Sequence, residues 1–279
     1  VFVTRQPESI VPKQRNSSIF VVCGLNESIK IQKYVICMVS KSQIKFVRQL
    51  AQKKQRDQHD LFVAEGHKVV QEFINEKYEP YQLFTSNLSL FSSHQAIVVS
   101  QSEMKAMSAL KTPSDVLAVF AKSNEQSLLH SNLILALESI QDPGNLGTII
   151  RICDWFGIQD VVCSLDTVDC YNPKVIRSTM GSLARVQLLY KDLQEWLAGM
   201  QNRKIVATTM AGQSVYEYAF DSPTILVIGN EGRGLSKQVQ ELTTDAITIP
   251  RFGGAESLNA AMATGIIVAE VRRKNPIGK

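Results

Sequence analysis

The chain lacks several features that would narrow its role at once. No apolar run approaches the roughly 20 residues needed to cross a bilayer. The stretch Ile19 to Cys23 is too short, and wrongly flanked, for a secretory signal. A cytoplasmic location with no membrane partner is therefore the expectation. Cysteine is sparse and odd in number (Cys23, Cys37, Cys153, Cys163, Cys170), with no Cys-x-x-Cys pair. That argues against a disulfide framework and against a structural zinc site. The five read as small buried apolar residues or free thiols, and no metal is expected. Neither a G-x-G-x-x-G nor a Walker A loop is present, so dinucleotide and triphosphate binding lose their usual fingerprints. No repeat of the solenoid kind is found.

What is present is an ordinary globular composition, 44% hydrophobic and 20% charged over 279 residues, enough for one large domain or two modest ones. The net charge of +4 is unevenly placed. Residues 1–60 hold 11 Lys/Arg against 4 Asp/Glu, a balance of +7, while residues 61–279 hold 19 against 22, a balance of −3. Positive charge gathered at one end fits a polyanion-binding arm. It fits a solvated surface helix equally well.

Residues 1–37 show neither helical nor strand periodicity for long, and the expectation is a disordered or non-native extension with Met38 as a sufficient start. The alternative is that Ile19–Cys23 and Tyr34–Val39 form strands docked on the small domain that begins near Met38. From Ser42, the run SQIKFVRQLAQKKQR places Ile44, Val47 and Leu50 on one face of a basic amphipathic helix. Its Lys45, Arg48, Lys53 and Lys54 lie mostly elsewhere and are candidates for contact with a polyanion. Short strands and helices then alternate through residue 122, with Ser100-x-x-Glu103 forming a capping box. Residues 38–122 thus read as a small α/β domain, and residues 123–132 as a polar linker. Beyond it the strands become continuous apolar runs, such as Leu133–Leu137 and Ile225–Ile228. That pattern marks a parallel sheet buried on both faces. Residues 133–279 form this second α/β domain.

Ligands of open α/β sheets bind beyond the carboxyl ends of the strands, and three such ends have unusual composition. The first is Glu138-Ser-Ile-Gln-Asp-Pro-Gly-Asn-Leu-Gly147. Here Asp142-Pro-Gly makes a turn, Asn145 can cap the next helix, and Arg151 projects from that helix. The second is Gly229-Asn-Glu-Gly-Arg-Gly234. Its Glu231 disfavours a bound phosphate and suits a hydroxyl-bearing or cationic ligand. The third is Ile249-Pro-Arg-Phe-Gly-Gly-Ala-Glu-Ser-Leu-Asn259, with Ser257 as a helix cap ahead of a small-residue helix. Taken singly, these loops also read as a plain turn, a tight connection and internal helix packing.

Taken in order, DPGNLGTIIR, IGNEGRGLS and IPRFGGAESLNAAMATG resemble the three signature motifs of the SpoU (TrmH) family, SPOUT-class RNA ribose 2′-O-methyltransferases. Residues 41–122, including FVAEGHKVVQE, resemble the small L30e-like RNA-binding domain that these enzymes often carry. The resemblance implies a deep trefoil knot in residues 133–279, a homodimer, S-adenosyl-L-methionine as methyl donor, and RNA as partner and substrate. Ribosomal RNA is favoured over tRNA. Motif by motif it assigns catalytic roles to Asn145, Arg151, Glu231, Ser257 and Asn259. Cofactor-binding positions fall on Thr208, Gly229, Ile249, Leu258 and Asn259.

Arg151 is the residue implied to activate the ribose hydroxyl. A guanidinium keeps its proton, so stabilising the developing alkoxide is easier to defend than general-base action. None of the four histidines (His59, His67, His94, His130) falls in the motifs. Two departures stand out. Arg251 replaces the usual Met after Ile-Pro, as a contact to RNA phosphate or as a solvated side chain, and Asn259-Ala-Ala replaces Asn-Val-Ser. The competing readings are a catalytically inactive RNA-binding ribosome-assembly factor of the same fold and a nucleotide-dependent oxidoreductase. The intact motif residues argue against the first, the missing fingerprint against the second.

Overall fold

The computed structural model describes residues 39–87, 89–91, 94–123, 131–221 and 223–275, together with the backbone of residues 20–23 and 33–36. In chain order the first sheet region comprises β1 (Phe20–Cys23), β2 (Lys33–Ile36), α1 (Lys41–Gln49), α2 (Lys53–His59), β3 (Leu61–Glu65), α3 (His67–Asn75), β4 (Pro80–Thr85), β5 (Ile97–Val98), α4 (Gln101–Met107) and β6 (Val116–Ala121). The strand order is β1-β2-β5-β4-β6-β3, with β6 antiparallel to both of its neighbours. β1 and β2 pair antiparallel, and β2 joins the rest through Val35 opposite Ile97. These two strands correspond to the docked-strand alternative for the N-terminal segment. The rest of residues 1–37, and residues 124–130 of the expected linker, lie outside the described residues.

The single basic helix expected from Ser42 is two helices. α1 ends at Gln49, Gln52 is extended (φ −90°, ψ 133°), and α2 starts anew. Arg56 explains the break. Its guanidinium turns inward and donates to the carbonyls of Leu50 (3.0 Å) and Ala51 (2.7 Å), satisfying backbone acceptors that helix termination leaves free. Lys45, Arg48, Lys53 and Lys54 are all exposed on this pair of helices. The Ser100 capping box forms as expected. Glu103 N donates to Ser100 Oγ, and Ser100 N donates to the Glu103 carboxylate at 2.8 Å.

The second region runs β7 (Leu133–Leu137), α5 (Pro143–Trp155), β8 (Asp160–Ser164), α6 (Pro173–Thr179), β9 (Gln187–Lys191), α7 (Leu193–Ala198), β10 (Lys204–Ser214), β11 (Thr224–Ile228), α8 (Lys237–Glu241), β12 (Asp245–Thr248) and α9 (Ala260–Lys274). Its order is β12-β10-β11-β7-β8-β9, and every neighbouring pair is parallel. β7, β8 and β11 are buried along their whole length, which is why β7 and the interiors of β8 and β11 read as apolar runs without alternation. The strand order reverses between β7 and β11, and a crevice opens beyond the carboxyl ends of β10, β11 and β12, on the side of the sheet where such folds bind ligands. The cysteine expectation holds where it can be seen. Cys153, Cys163 and Cys170 are free and buried, and burial pushes the Cys153 and Cys170 thiols up to about 12.

The two sheets share a core. Phe62 of β3 packs on Tyr171 beside α6, ring centroids 4.7 Å apart. Arg56 reaches across to Asp169, with Nη2 at 2.5 Å and Nε at 3.1 Å from the same carboxylate oxygen. Arg185 bridges in the other direction. It grips both oxygens of Asp154 on its own side and places Nη1 2.6 Å from Glu72 of α3.

Candidate cofactor and catalytic site

Three loops converge at the carboxyl ends of the strands. Glu138, at the end of β7, is buried and accepts from Ser236 N (2.9 Å) and Ser236 Oγ (2.6 Å), tying the first loop to the start of α8. Ser139 follows at φ +57°, a left-handed conformation rarely held by a side-chain-bearing residue. Its amide donates to Ser164 Oγ and its hydroxyl to Asp166, while its carbonyl accepts from Asn230 Nδ2 at 2.9 Å. Burial raises the Asp166 carboxyl, but the bonds from Ser139 and Ser164 outweigh it and hold the group below its ordinary value. Asn230 Oδ1 in turn accepts from the amides of Gly232 and Arg233. The loop carrying Glu231 is thereby held closed on itself and anchored to the loop after β7.

α5 is capped differently from the expectation. Asp142, not Asn145, accepts from the Asn145 amide (2.9 Å), with Pro143 opening the first turn. Asn145 is thus free to use its side chain for the site. Its Nδ2 donates to Glu231 Oε1, and its Oδ1 accepts from Asn259 Nδ2 at 2.8 Å. The cap of α9 differs as well. Asn259, rather than Ser257, accepts from Ala261 N and Met262 N. Asn259 therefore fixes the helix and the Asn145 side chain together, and Ser257 stays exposed on the loop ahead of it.

Beside this chain of side chains lies a cleft of about 730 Å³. Thr208, Gly229, Glu231, Ile249, Ser257 and Leu258 all line it, and Ile228, Ile247 and Ile267 add apolar wall. Thr208 Oγ1 is committed to Val227 O (2.9 Å). Gly229 is required by its surroundings, because a Cβ there would sit 2.5 Å from the Gly234 backbone. The structure therefore brings Asn145, Glu231, Asn259, Thr208, Gly229, Ile249, Ser257 and Leu258 to one place. Arg151 does not line the cleft. It lies on the exposed stripe of α5 with Gly144, Thr148 and Trp155, and has no ion-pair partner among the described residues. Sequence reading missed Glu138, Ser139 and Asn230, the residues that brace the loops. Asn230 sits inside the second motif, but nothing in its spacing shows that it bonds across to Ser139.

Residues 132–269 match the SpoU rRNA Methylase family, and residues 41–118 match an MRM3-like substrate binding domain. The 23S rRNA (guanosine(2553)-2′-O)-methyltransferase RlmP of Bacillus subtilis is 29% identical across 82% of this chain and 95% of its own. A structure described as a TrmH-family RNA methyltransferase from Porphyromonas gingivalis superposes with a TM-score of 0.79 at 37% identity, covering 85% of this chain and all of that one. An AdoMet-bound rRNA methyltransferase from Sinorhizobium meliloti gives 0.77 at 26%, covering 86% and 98%. The parallel sheet with its cleft at the strand ends is thus that of an RNA methyltransferase. The chain belongs to the SpoU (TrmH) family of these enzymes.

Proposed function

We propose that this chain transfers the methyl group of S-adenosylmethionine to a ribose 2′-hydroxyl of ribosomal RNA. The observation that carries the reading is the linked set Glu231–Asn145–Asn259, which joins all three motif loops at the edge of the cleft. The cleft fits the cofactor. Its volume lies in the range of small-molecule sites, and it is walled by isoleucines on one side and glycine-rich backbone on the other. Glu231 supplies negative charge suited to a cationic ligand. A Cβ on Gly234, Gly253 or Gly254 would meet nothing within 4 Å, so the backbone at all three is open to close approach. Gly229, Ile249 and Leu258 would hold the adenosine and Thr208 the pocket wall beside it. When bound, the cofactor supplies a methyl group already activated by its sulfonium charge.

The chain's own part is positioning and charge. Asn145 and Asn259 hold the Glu231 carboxylate in a fixed orientation. Arg151, exposed and without an ion-pair partner among the described residues, is available to an incoming ribose, where a guanidinium stabilises a developing alkoxide without taking a proton. Ser257 lies on the loop between the cofactor wall and Asn259. The deep trefoil knot, the L30e-like character of residues 38–122, a homodimer and a cytoplasmic site of action belong to the same reading. Lys274 and Asn275, which donate to the backbone carbonyls of Val215, Tyr216, Tyr218 and Phe220 from the end of α9, support a closely wound C-terminal region. The exposed Trp155 of α5 and Met262 of α9 support a dimer face on those helices. Incubating the protein with tritiated S-adenosylmethionine and an unmethylated large-subunit rRNA transcript, then mapping ribose methylation by resistance to alkaline cleavage, tests the proposal. Label on a base instead of a ribose, or none, would refute it.

A further inference from the structure

The loop between β12 and α9 is exposed from Arg251 through Asn259, and it forms one wall of the cleft. Phe252 on that loop is 96% exposed, more than any other large hydrophobic residue among those described. Its neighbours do nothing to cover it. Arg251 reaches no further than the Ala255 carbonyl at 3.3 Å, and Gly253 and Gly254 stand in open space. Across the cleft, the second motif loop presents Arg233, also exposed and without an ion-pair partner among the described residues. An aromatic face and two guanidiniums therefore ring the mouth of the cleft in which the methyl donor would lie.

We propose that Phe252 stacks on a base of the RNA substrate at or next to the methylated nucleotide, with Arg251 and Arg233 holding the flanking phosphates. The inference rests on the methyl-transfer reading above and adds the contact that places the nucleotide. A ribose in a loop or bulge of structured RNA carries an unstacked base, and such single-stranded positions are where proteins recognise RNA most specifically. Unstacked bases are gripped by aromatic rings and guanidinium planes. The two glycines after Phe252 let the ring swing to meet the base plane without moving β12 or α9. A base offers the exposed ring the largest flat apolar face in an RNA, and stacking on it is the stronger contact. The adjoining arginines suit the charge on either side of it.

The test compares wild type, Phe252→Ala and Phe252→Trp on the large-subunit rRNA transcript, with S-adenosylmethionine affinity measured by calorimetry and mass by sedimentation. Phe252→Ala is expected to lower kcat/KM about tenfold or more, the loss of one base–aromatic stack, with the effect falling mainly on KM for RNA. Cofactor affinity and mass should match wild type, and Phe252→Trp should restore most of the loss. A wild-type KM in Phe252→Ala overturns the inference. So does a loss of cofactor affinity, which would make Phe252 part of the cofactor wall, or a change in mass, which would make it a subunit contact. Failure of wild type itself to label ribose overturns the methyl-transfer reading and this inference with it, whereas normal wild-type labelling with an unaffected Phe252→Ala overturns this inference alone.

Discussion

At the seam between the two sheets, charge is buried and matched. Arg56 is 2% exposed, Asp169 is 13% exposed in its side chain, and the guanidinium also serves two backbone carbonyls. At the mouth of the cleft the arrangement is the opposite. Arg233 and Arg251 line it and are exposed, Arg151 is exposed on α5 outside the lining, and none of the three has an ion-pair partner among the described residues. The contrast separates two tasks. A buried matched pair needs no ligand and holds one sheet against the other, whereas exposed unpaired guanidiniums are available to an anion that arrives from outside. Damage at the seam should therefore register in stability, and damage at the mouth in turnover.

The largest expected effect is at Arg151. Arg151→Ala should lower methyl transfer by about 100-fold or more, the scale of losing a transition-state donor. Its melting temperature and S-adenosylmethionine affinity should stay near wild type, because the side chain is exposed and does not line the cleft. Single-turnover assays at saturating RNA, beside calorimetry, measure both. Wild-type turnover would remove Arg151 from the mechanism and leave Asn145, Glu231 and Asn259 to carry it.

The seam should answer in the other observable. Arg56→Met leaves Asp169 partly buried without its partner and frees the Leu50 and Ala51 carbonyls. Breaking such a pair costs about 3–5 kcal/mol, a fall on the order of 10 °C in melting temperature for a chain of this size. Adding Asp169→Leu should recover much of the loss, since two apolar groups no longer leave a charge stranded. If the double variant melts no higher than Arg56→Met, the loss comes from the carbonyl contacts that close α1 and not from the ion pair across the seam.

This contrast also separates what the sequence reveals from what it hides. Glu231, Asn259 and Asn145 could be picked out because each lies in a short contiguous motif at the end of an apolar run. The parallel sheet was legible for a related reason, since strands such as Leu133–Leu137 need no alternation when both faces are buried. Arg56 was not. It closes the run Lys53-Lys54-Gln55-Arg56, which reads as solvated charge, and its partner is 113 residues away. The break at Gln52 is hidden too, because helical spacing continues through it and the carbonyl capping that ends α1 comes from a side chain in the next helix. Asn145 looked like a helix cap because Asp142 and Asn145 are both good caps. Nothing in spacing alone shows that Asp142 takes that role and frees Asn145 for the site. Strand β10 runs on to Ser214, past the apolar stretch Ile205–Thr208, because its later residues are mostly exposed and carry no burial signal.

The basic helices offer a smaller, graded effect that sharpens the same contrast. Lys45, Arg48, Lys53 and Lys54 are exposed like the arginines of the mouth, but they lie on the other sheet's side of the seam. Replacing all four with alanine should weaken RNA binding and flatten its salt dependence, by roughly 0.7 in slope for each single-strand phosphate no longer neutralised. Stability should change little. An unchanged slope would make these residues a solvated face.

The smallest effect is expected at the N-terminal edge. β1 and β2 extend the first sheet, yet β2 meets the rest through Val35 opposite Ile97 on a strand two residues long. Removing residues 1–37 would leave β5 as the sheet edge with its pairing to β4 intact, Phe84 opposite Ile97 and Thr85 opposite Val98. The cluster beneath that edge, formed by Val39, Phe84, Val99, Met104 and Met107, draws on no described residue before Val39. The chain 38–279 should therefore melt within about 4 °C of the full chain, a difference of no more than roughly 1–2 kcal/mol, and transfer methyl at an unchanged rate. If β1 and β2 instead bury apolar side chains against the sheet, each fully covered Val or Ile would contribute about 1.5–3 kcal/mol, and the drop would exceed that bound. A larger drop with normal turnover would extend the seam's structural role to the opposite edge of the sheet. A small drop with lost turnover would instead place the segment among the parts that meet RNA.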